Sequence, residues 1–455
     1  MTTGELLTKY NVPVPRYTSY PPANYFEESF TAEDYETAVT ASNTTGAQQI
    51  SFYVHIPFCR QLCYYCGCNS FAMMQPAMID RYISAVHREI EKVSRLLDPN
   101  RPVSQIHYGG GTPTVLPVSV LKELNKHLLA SFPRIEQAEI AIECHPGYLD
   151  ENYWLSLAES GFNRFSLGIQ DFDEKVLKAV NRRPSRLPVE NIFRILREKK
   201  AGINIDLLYG LPLQTAAGFT KTVMRAIELQ PDRLVTFSYA HVPWVNKRQL
   251  MLEKTGLPGN EEKSLMYESA KTVLQQAGYH AIGLDHFVKE SDELYTARQN
   301  GQLHRNFQGY CTRRTTGQVY AFGVTAISQL SGAYAQNSKH IEDYIGRIEK
   351  GFATVKGYRL NEEEQIAREV IETLMCNYCL EWKELSERLA LPEEKIKAAT
   401  AYNPEQFRTF AADGILTFDE NRIQVTQKGR LFVRNIAAAL DKLMINSGKS
   451  FSKPV

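Results

Sequence analysis

The sequence predicts an α/β protein: a partial barrel of six βα units, preceded by an extended N-terminal arm and followed by a helical, winged-helix-like C-terminal domain. Three observations carry this. From about residue 48 to about residue 243, short β-branched and aromatic runs alternate with segments of helical periodicity. Prolines crowd the stretch before them, at Pro13, Pro15, Pro21 and Pro22. Near the other end, a helical run leads to two short strand-like runs about a turn and then to a last amphipathic segment.

Taken in order, residues 1–47 read as an arm laid over the barrel, because proline continues neither a helix interior nor a central strand. The candidate strands are 50–55, 105–108, 139–143, 164–169, 203–209 and 233–239. Between the first two, Met78, Ile79, Tyr82, Ile83, Val86, Ile90, Val93 and Leu97 recur at spacings of three and four, the stripe of an amphipathic helix. Leu121, Leu124 and Leu128 mark the next one. Six units fall short of the eight that close a full barrel, so the barrel is expected to be open on one side, with room for a large substrate. The catalytic region is taken as 48–355, with its core at about 48–243, beyond which the pattern loosens. The remainder, 356–455, is helix-rich and starts near Asn361 with Glu362, Glu363 and Glu364. A helix over 404–412, strands over 415–418 and 423–425 and a final helix give the winged-helix order. The last helix offers only Lys428, Arg430, Arg434 and Lys442 as scattered cations, which favours a packing domain over nucleic-acid binding.

Composition fits this plan. A chain of 455 residues exceeds what one hydrophobic core usually serves. Hydrophobic residues at 43% and charged ones at 23% are ordinary for a globular protein and exclude wholesale disorder. No run of about 20 apolar residues occurs, and residues 1–10 lack the apolar stretch of a secretory signal, so a cytoplasmic protein without a membrane partner is expected. The formal net charge of +1 gives no global field for nucleic acid or an anionic membrane. A polyanionic substrate must be met by a local basic cluster.

Of the eight cysteines, four fall between Cys59 and Cys68, while Cys144, Cys311, Cys376 and Cys379 are scattered. In a large protein of a reducing compartment such crowding reads as a metal or cluster site, not a disulfide frame. Directly after the first strand the chain reads His55-Ile-Pro-Phe-Cys59-Arg-Gln-Leu-Cys63-Tyr-Tyr-Cys66-Gly-Cys68. A 4Fe-4S cube wants a thiolate on each iron, and these short gaps let Cys59, Cys63 and Cys66 wrap three corners from one loop. The fourth iron is left open to bind a substrate directly. The bland alternatives are buried thiols or a structural zinc site; zinc would want a fourth ligand and usually two separated pairs. Cys68 as a fourth ligand would close the open iron, so it is read as a nearby non-ligand thiol.

This loop resembles that of the radical S-adenosylmethionine superfamily, in which the open iron chelates the methionine part and one electron yields a 5'-deoxyadenosyl radical. More closely, Pro15-Arg-Tyr-Thr-Ser-Tyr-Pro21, the four-cysteine loop, His107-Tyr-Gly-Gly-Gly-Thr-Pro113, Asn181-Arg182, Asn204-Ile-Asp206, Tyr239-Ala-His241 and His304-Arg-Asn-Phe-Gln-Gly-Tyr310 together resemble the oxygen-independent coproporphyrinogen III oxidases. The likeness runs from the arm to the last helix, and its specificity lies in the order of the motifs, not in any one of them. It implies oxidative decarboxylation of the ring A and ring B propionates of coproporphyrinogen III to vinyls, giving protoporphyrinogen IX for heme biosynthesis. It also implies a 4Fe-4S cluster, two S-adenosylmethionine molecules per product held side by side, a reducing donor such as flavodoxin or ferredoxin, and a monomer.

The same resemblance carries over Cys59, Cys63, Cys66 and Glu143 as the catalytic set. Tyr53, Gly110, Glu143, Ala240 and Ile327 would contact the S-adenosylmethionine on the cluster, and Tyr65, Gly111, Thr112, Gln170, Arg182 and Asp206 the second one. Physical chemistry agrees in part: a glycine run at a strand end lets backbone N–H groups approach a carboxylate, and Glu143 or Asp206 suits an amino group or ribose hydroxyls. Each has a bland alternative, a tight turn for Gly109 to Gly111, a solvated strand end for Glu143, core for Tyr65 and a surface ion pair for Arg182. Their convergence at strand ends of one barrel face favours function. The four carboxylates of the substrate suit arginine forks. Arg16, Arg183 and Arg305 are the candidates, with a solvated arginine the equal alternative for each taken alone.

Two departures from the relatives stand out. Cys144-His145-Pro146 replaces an apolar residue and an acid before the proline, and His145 is read as a cap of the strand end. The stretch 311–317, with Arg313 and Arg314, is read as loop variation near a substrate entrance. Cys376 and Cys379 form a C-x-x-C expected inside one amphipathic helix as buried thiols, and His241 and His286 are expected to be ordinary hydrogen-bonded histidines. Rival functions on the same scaffold are a heme chaperone, whose relatives lack the arm motif and the fourth cysteine, and an anaerobic heme-degrading radical methyltransferase.

Overall fold

Apolar and polar residues alternate along six strands: β1 (Ile50–Ile56), β2 (Val103–Gly110), β3 (Arg134–Cys144), β4 (Arg164–Gln170), β5 (Gly202–Tyr209) and β6 (Arg233–Ser238). A period of two sends the two classes to opposite faces. On β4 and β5, Phe165, Leu167, Ile203, Ile205 and Leu207 are buried in the main core with residues of the crossover helices, whereas Ser166, Gln170, Asn204 and Asp206 are half-buried on the opposite, lumen-facing side. These details come from a computed structural model, which describes residues 3–312, 318–445 and 447–451. Arg313 and Arg314 lie outside the described residues.

All six expected strands form, and β1 to β6 pair in parallel in chain order. The sheet is larger than the sequence suggested. Val319–Phe322 pairs in parallel with β1, from Ser51 opposite Val319 to Val54 opposite Phe322. Ile327–Gln329, Ala333–Asn337 and Thr354–Arg359 extend that edge antiparallel, while His286–Val288 and His280–Ile282 extend the β6 edge. The twelve strands run in an open order. Helix Pro76–Leu96 lays Tyr82, Val86, Ile90 and Val93 on the core as predicted, although Leu97 already leaves the helix in extended conformation. On its buried face Glu89 accepts from Gly323 N (2.8 Å), Asn337 Nδ2 (2.7 Å) and Tyr344 Oη (2.7 Å), tying the returning strand region to the helix. Burial raises this carboxyl to about 7.

The arm is less extended than its prolines predict. Helix Thr3–Tyr10 puts Leu6 and Tyr10, with Tyr17 and Tyr20, into a second core shared with Ile371, Leu374, Trp382 and Phe407. Helix Ala32–Ala41 starts at a capping box of Thr31 and Asp34 and buries Tyr35 and Val39 in the main core. Only the proline-bearing middle is extended, and the arm joins two cores, not the barrel alone.

In the C-terminal part, helix Glu362–Asn377 begins at Asn361 with a second capping box to Glu364. It ends at Tyr378, whose left-handed backbone (φ 58°) turns the chain into strand Cys379–Glu381. Cys376 and Cys379 therefore do not share one helix: Cys376 is buried, and Cys379 Sγ lies 3.1 Å from Arg422 Nε on a strand. Helix Pro404–Ala412 is followed by Leu416–Phe418 and Arg422–Val425, and the three strands form an antiparallel sheet with Arg422–Val425 in the middle. Among the described residues, no helix is long and apolar enough to cross a membrane.

Candidate active site

The cysteine loop leaves β1 through Pro57 and is pinched at its base. Phe58–Cys59 pairs in parallel with Phe71–Ala72, so that Cys59 lies opposite Ala72. Further along, Tyr64 N donates to Val180 O (3.0 Å), and Asn181 Nδ2 donates to Leu62 O (2.9 Å). The loop is thus laced to the turn that ends helix Glu174–Ala179, beyond β4. Cys59 and Cys63 are buried, Cys66 is half-buried and Cys68 is exposed. Cys59 Sγ sits 3.5 Å from Thr112 Oγ1, and Cys63 Sγ 3.6 Å from Arg182 Nη1. Burial pushes the Cys59 thiol up to about 11. Bonding to Cys68 first, with Arg248 assisting, holds Cys66 down at about 6. Among the described residues, no three His, Cys, Asp or Glu side chains converge on a single ion. A cubane does not require that, since each cysteine takes a different iron.

The glycine run closes the space beside this loop. A Cβ on Gly109 would stand 2.6 Å from Glu143 Oε1, one on Gly110 2.6 Å from the His55 ring, and one on Gly111 2.7 Å from the Pro57 carbonyl group. Gly110 also holds φ at +114°, which a side chain would strain. His55 joins strand to loop: its Nε2 donates to Asn69 O (3.1 Å), so its Nδ1 accepts from Tyr53 Oη (3.1 Å). Burial lowers the imidazole to about 4 and keeps it neutral. Tyr53 stacks on His107, whose Nε2 lies 3.1 Å from Glu143 Oε1, and the Glu143 side chain remains 43% exposed to the lumen.

A second group forms on β4 and β5. Arg182 donates to Tyr65 Oη (3.0 Å) and to Gly168 O. A Cβ on Gly168 would meet both Arg182 Nη2 and Gln170 Nε2, so Gln170, with its left-handed φ of 70°, closes over the same spot. Asp206 lies in register with Gly168 and accepts from Ser166 Oγ (2.8 Å). Burial first, then the charge of Glu143, raises Asp206 to about 6. Tyr53 and Glu143 thus meet through His107, with Gly110 against His55, while Tyr65, Gln170 and Arg182 gather around Gly168, and Asp206 beside them feels the charge of Glu143. Ala240 is half-buried just beyond β6. Ile327 packs half-buried with Phe26, Phe307 and Tyr334.

The substrate candidates separate. Arg16, from the arm, is accessible yet surrounded by protein: burial and then Arg305 lower its pKa, and Asp285 and Tyr209 face it. Arg305 lies over the Tyr310 ring (5.0 Å), and its buried Nε and Nη1 have no hydrogen-bond partner among the described residues. Asp285 Oδ1 pairs with His286 Nδ1 at 2.6 Å and faces both arginines. Arg183 is elsewhere, exposed and 5.0 Å from the Tyr148 ring. His145 caps the turn after β3, accepting from Gly147 N (3.1 Å), as expected. His241, between Tyr239 Oη (2.8 Å) and Glu253 (2.9 Å), and His286 are hydrogen-bonded in the ordinary way.

Sequence reasoning missed Arg248. It sits in the turn Lys247–Gln249 after β6, where Asn246 Nδ2 donates to Cys66 O (2.7 Å) and Gln249 Nε2 to Tyr65 O (3.1 Å). Its charge acts on both Cys59 and Cys66, and its buried Nη1 has no partner among the described residues. Only a bare cation after the last strand marked it in the sequence.

Known proteins bear directly on this arrangement. The radical SAM superfamily profile matches residues 53–226 and the HemN C-terminal domain profile residues 360–432. A protein of Synechocystis sp. named oxygen-independent coproporphyrinogen III oxidase is 38% identical over all of this chain and 98% of its own length. The chain belongs to the oxygen-independent coproporphyrinogen III oxidases. Another family member, from Escherichia coli K12, is 40% identical over 96% of this chain and 94% of its own. A solved Escherichia coli structure, described as coproporphyrinogen III oxidase (HemN) and a radical SAM enzyme, superposes with a TM-score of 0.86 at 38% identity, covering 94% of this chain and 97% of that one. Membership implies a 4Fe-4S cluster and S-adenosylmethionine. The residues present fit them: three cysteines on one pinched loop, a glycine cradle that a Cβ would fill, and an unpartnered guanidinium nitrogen on Arg248, whose charge acts on Cys59 and Cys66.

Proposed function

We propose that this chain converts coproporphyrinogen III to protoporphyrinogen IX without oxygen, by oxidative decarboxylation of the ring A and ring B propionates. The observation that supports the substrate most directly is Arg305, a buried guanidinium with two unpartnered nitrogens facing Arg16 across the Asp285–His286 pair. A fork of that kind matches a carboxylate in two-point fashion, and the substrate carries four carboxylates.

Cys59, Cys63 and Cys66 hold the cluster. Tyr53, Gly110, Glu143, Ala240 and Ile327 bind the first S-adenosylmethionine, and Tyr65, Gly111, Thr112, Gln170, Arg182 and Asp206 the second. When bound, these groups supply a carbon-centred radical able to remove a hydrogen atom from the propionate β-carbon. The chain's own part is positioning. Neutral His55 keeps the loop register through Asn69, and His107 orients Glu143 toward the lumen. Arg305 and Arg16 fix the propionates, and the apolar outer face of the sheet keeps water behind the lumen. We assign an arm at 1–47, a catalytic unit at 48–355 and a C-terminal domain at 356–455, acting as a cytoplasmic monomer reduced by an external carrier such as flavodoxin or ferredoxin. Support for this division is the presence of two large cores, one mostly before residue 355 and one mostly after it.

The test is an anaerobic assay of cluster-reconstituted protein with S-adenosylmethionine and coproporphyrinogen III, following 5'-deoxyadenosine, carbon dioxide and protoporphyrinogen IX together. All three are expected. Heme binding without carbon dioxide release would mean a chaperone instead.

A further inference from the structure

Beside the cysteine loop lies a groove of about 470 Å³ whose lining contains neither Arg16 nor Arg305 but Gln61, Lys175, Lys178, Asn181, Arg182 and Arg183, with Glu174 as its carboxylate. Lys175 and Lys178 project from the short helix Glu174–Ala179, and Arg60 and Arg183 flank the Tyr148 ring at 5.6 and 5.0 Å. All four cations are exposed, and none of them pairs with a carboxylate among the described residues. Exposed arginines that follow closely in the chain do: Arg186 pairs with Asp150, and Arg194 with Glu151 and Glu198. In a chain of formal net charge +1, the groove and its rim thus carry a local excess of unneutralised positive charge.

That place adjoins the thiolates. Arg182 is part of the groove lining and also stands 3.6 Å from Cys63 Sγ. Gln61 Nε2 donates to Asn181 Oδ1 (2.6 Å), and Asn181 Nδ2 donates to Leu62 O. The wall between groove and cluster loop is therefore one layer of side chains. An electron must come from outside, and its transfer rate falls steeply with distance, so a donor needs a seat close to this loop and away from the substrate lumen.

We propose that the groove between Gln61 and Arg183 is the docking site of a small acidic one-electron carrier protein. The inference rests on the cluster reading under Proposed function. In the step concerned, one electron leaves the carrier's redox centre and enters the cluster held by Cys63, with no proton or group transferred. Charge complementarity at a small, transient redox interface acts mainly on association rate and is screened by salt. Lys175 and Lys178 are exposed, and no hydrogen bond or ion pair ties either side chain to a cysteine of the loop or to Arg16 or Arg305 among the described residues, so they are the positions that report on docking.

The experiment compares reconstituted wild type with the double variant Lys175→Glu/Lys178→Glu, using flavodoxin hydroquinone as the carrier and dithionite as the small-molecule reductant. Calorimetry gives the dissociation constant for flavodoxin, and anaerobic stopped-flow gives the rate of cluster reduction. The variant is expected to bind flavodoxin at least about tenfold more weakly and to be reduced by it correspondingly slowly at low salt. It should lose most of the salt dependence, while dithionite gives the same reduced-cluster spectrum and the same KM for coproporphyrinogen III. Lys175→Arg/Lys178→Arg should behave as wild type. Unchanged flavodoxin binding and salt dependence in the glutamate variant would overturn the proposal, as would a raised KM with dithionite, which would give the groove to the substrate's carboxylates. Should dithionite fail to reduce even the wild type, the cluster reading fails, and the flavodoxin dissociation constants still decide the docking site.

Discussion

A buried guanidinium with free nitrogens is expensive unless a ligand completes it, because both desolvation and unmade hydrogen bonds count against the folded state. Arg305 is in that condition. Replacing Arg305 with alanine is therefore expected to stabilise the substrate-free protein or leave it unchanged, while raising KM for coproporphyrinogen III about tenfold or more, from the loss of about 1.5–3 kcal/mol of charge-assisted hydrogen bonding. Arg305→Lys keeps the charge without the fork and should fall between; steady-state kinetics decide. Arg16→Ala, with unchanged affinity and turnover, would remove that residue from the site. Asp206 offers a pH test. Its folded pKa of about 6 lies above the ordinary carboxyl value, so its ionisation opposes folding. The favourable share is complete below the unfolded value near 3.8 and is lost as pH rises through about 6. The gain in melting temperature of cluster-free Asp206→Asn over wild type should therefore grow between pH 4 and 6 and level off above; a flat difference would contradict the raised pKa. At this scale the sequence marked Cys59, Glu143 and Asp206 as candidates, because each sits in a short motif on or directly after a barrel strand. It could not display Arg248, whose role depends on a turn after β6 folding back onto Cys66.

Elements were legible where their pattern was long. Six strands with apolar and polar residues in alternation, and a helix with a stripe over Tyr82 to Val93, could be read directly. The strand Val319–Phe322 could not: four residues, all buried, show no alternation, and its parallel partner β1 lies far back in the chain. The arm's helices were hidden by prolines, although the Thr31 and Asp34 box was present in the sequence. Cys379 was assigned to the wrong element because nothing local announces that Tyr378 adopts a left-handed turn. The pinched loop supplies an element-level prediction. In Gly111→Ala the new methyl would meet backbone atoms of Pro57 and Phe58, which cannot swing aside as a side chain could. The loop base should shift, so iron content after reconstitution is expected to fall well below wild type while far-UV circular dichroism stays the same. Full iron loading would show that the base tolerates displacement.

Across the whole molecule, the arm is the part that makes one machine of two cores. Its first helix is anchored by Tyr10, which bonds to Asp413, and its extended middle by Arg434, whose Nε donates to Pro15 O (3.0 Å) with a further bond to Val14 O. Tyr17 Oη adds a bond to Asp441 (2.9 Å). Arg16 stands between the two carbonyl-anchored residues and Tyr17, so its aim into the lumen depends on the C-terminal domain holding the backbone on either side of it. A domain with a winged-helix order and few cations thus has a physical task unrelated to nucleic acid. Arg434→Leu leaves the Val14 and Pro15 carbonyls without their charged donor, and burial of unpaired carbonyls favours release of the segment. Limited proteolysis is expected to cut within residues 11–22 much faster than in wild type, and KM for coproporphyrinogen III to rise by about tenfold. Iron content and dithionite-driven cleavage of S-adenosylmethionine should hold, because the cysteine loop hangs from β1 and not from the arm. Loss of iron together with substrate affinity would mean instead that the arm supports the barrel itself.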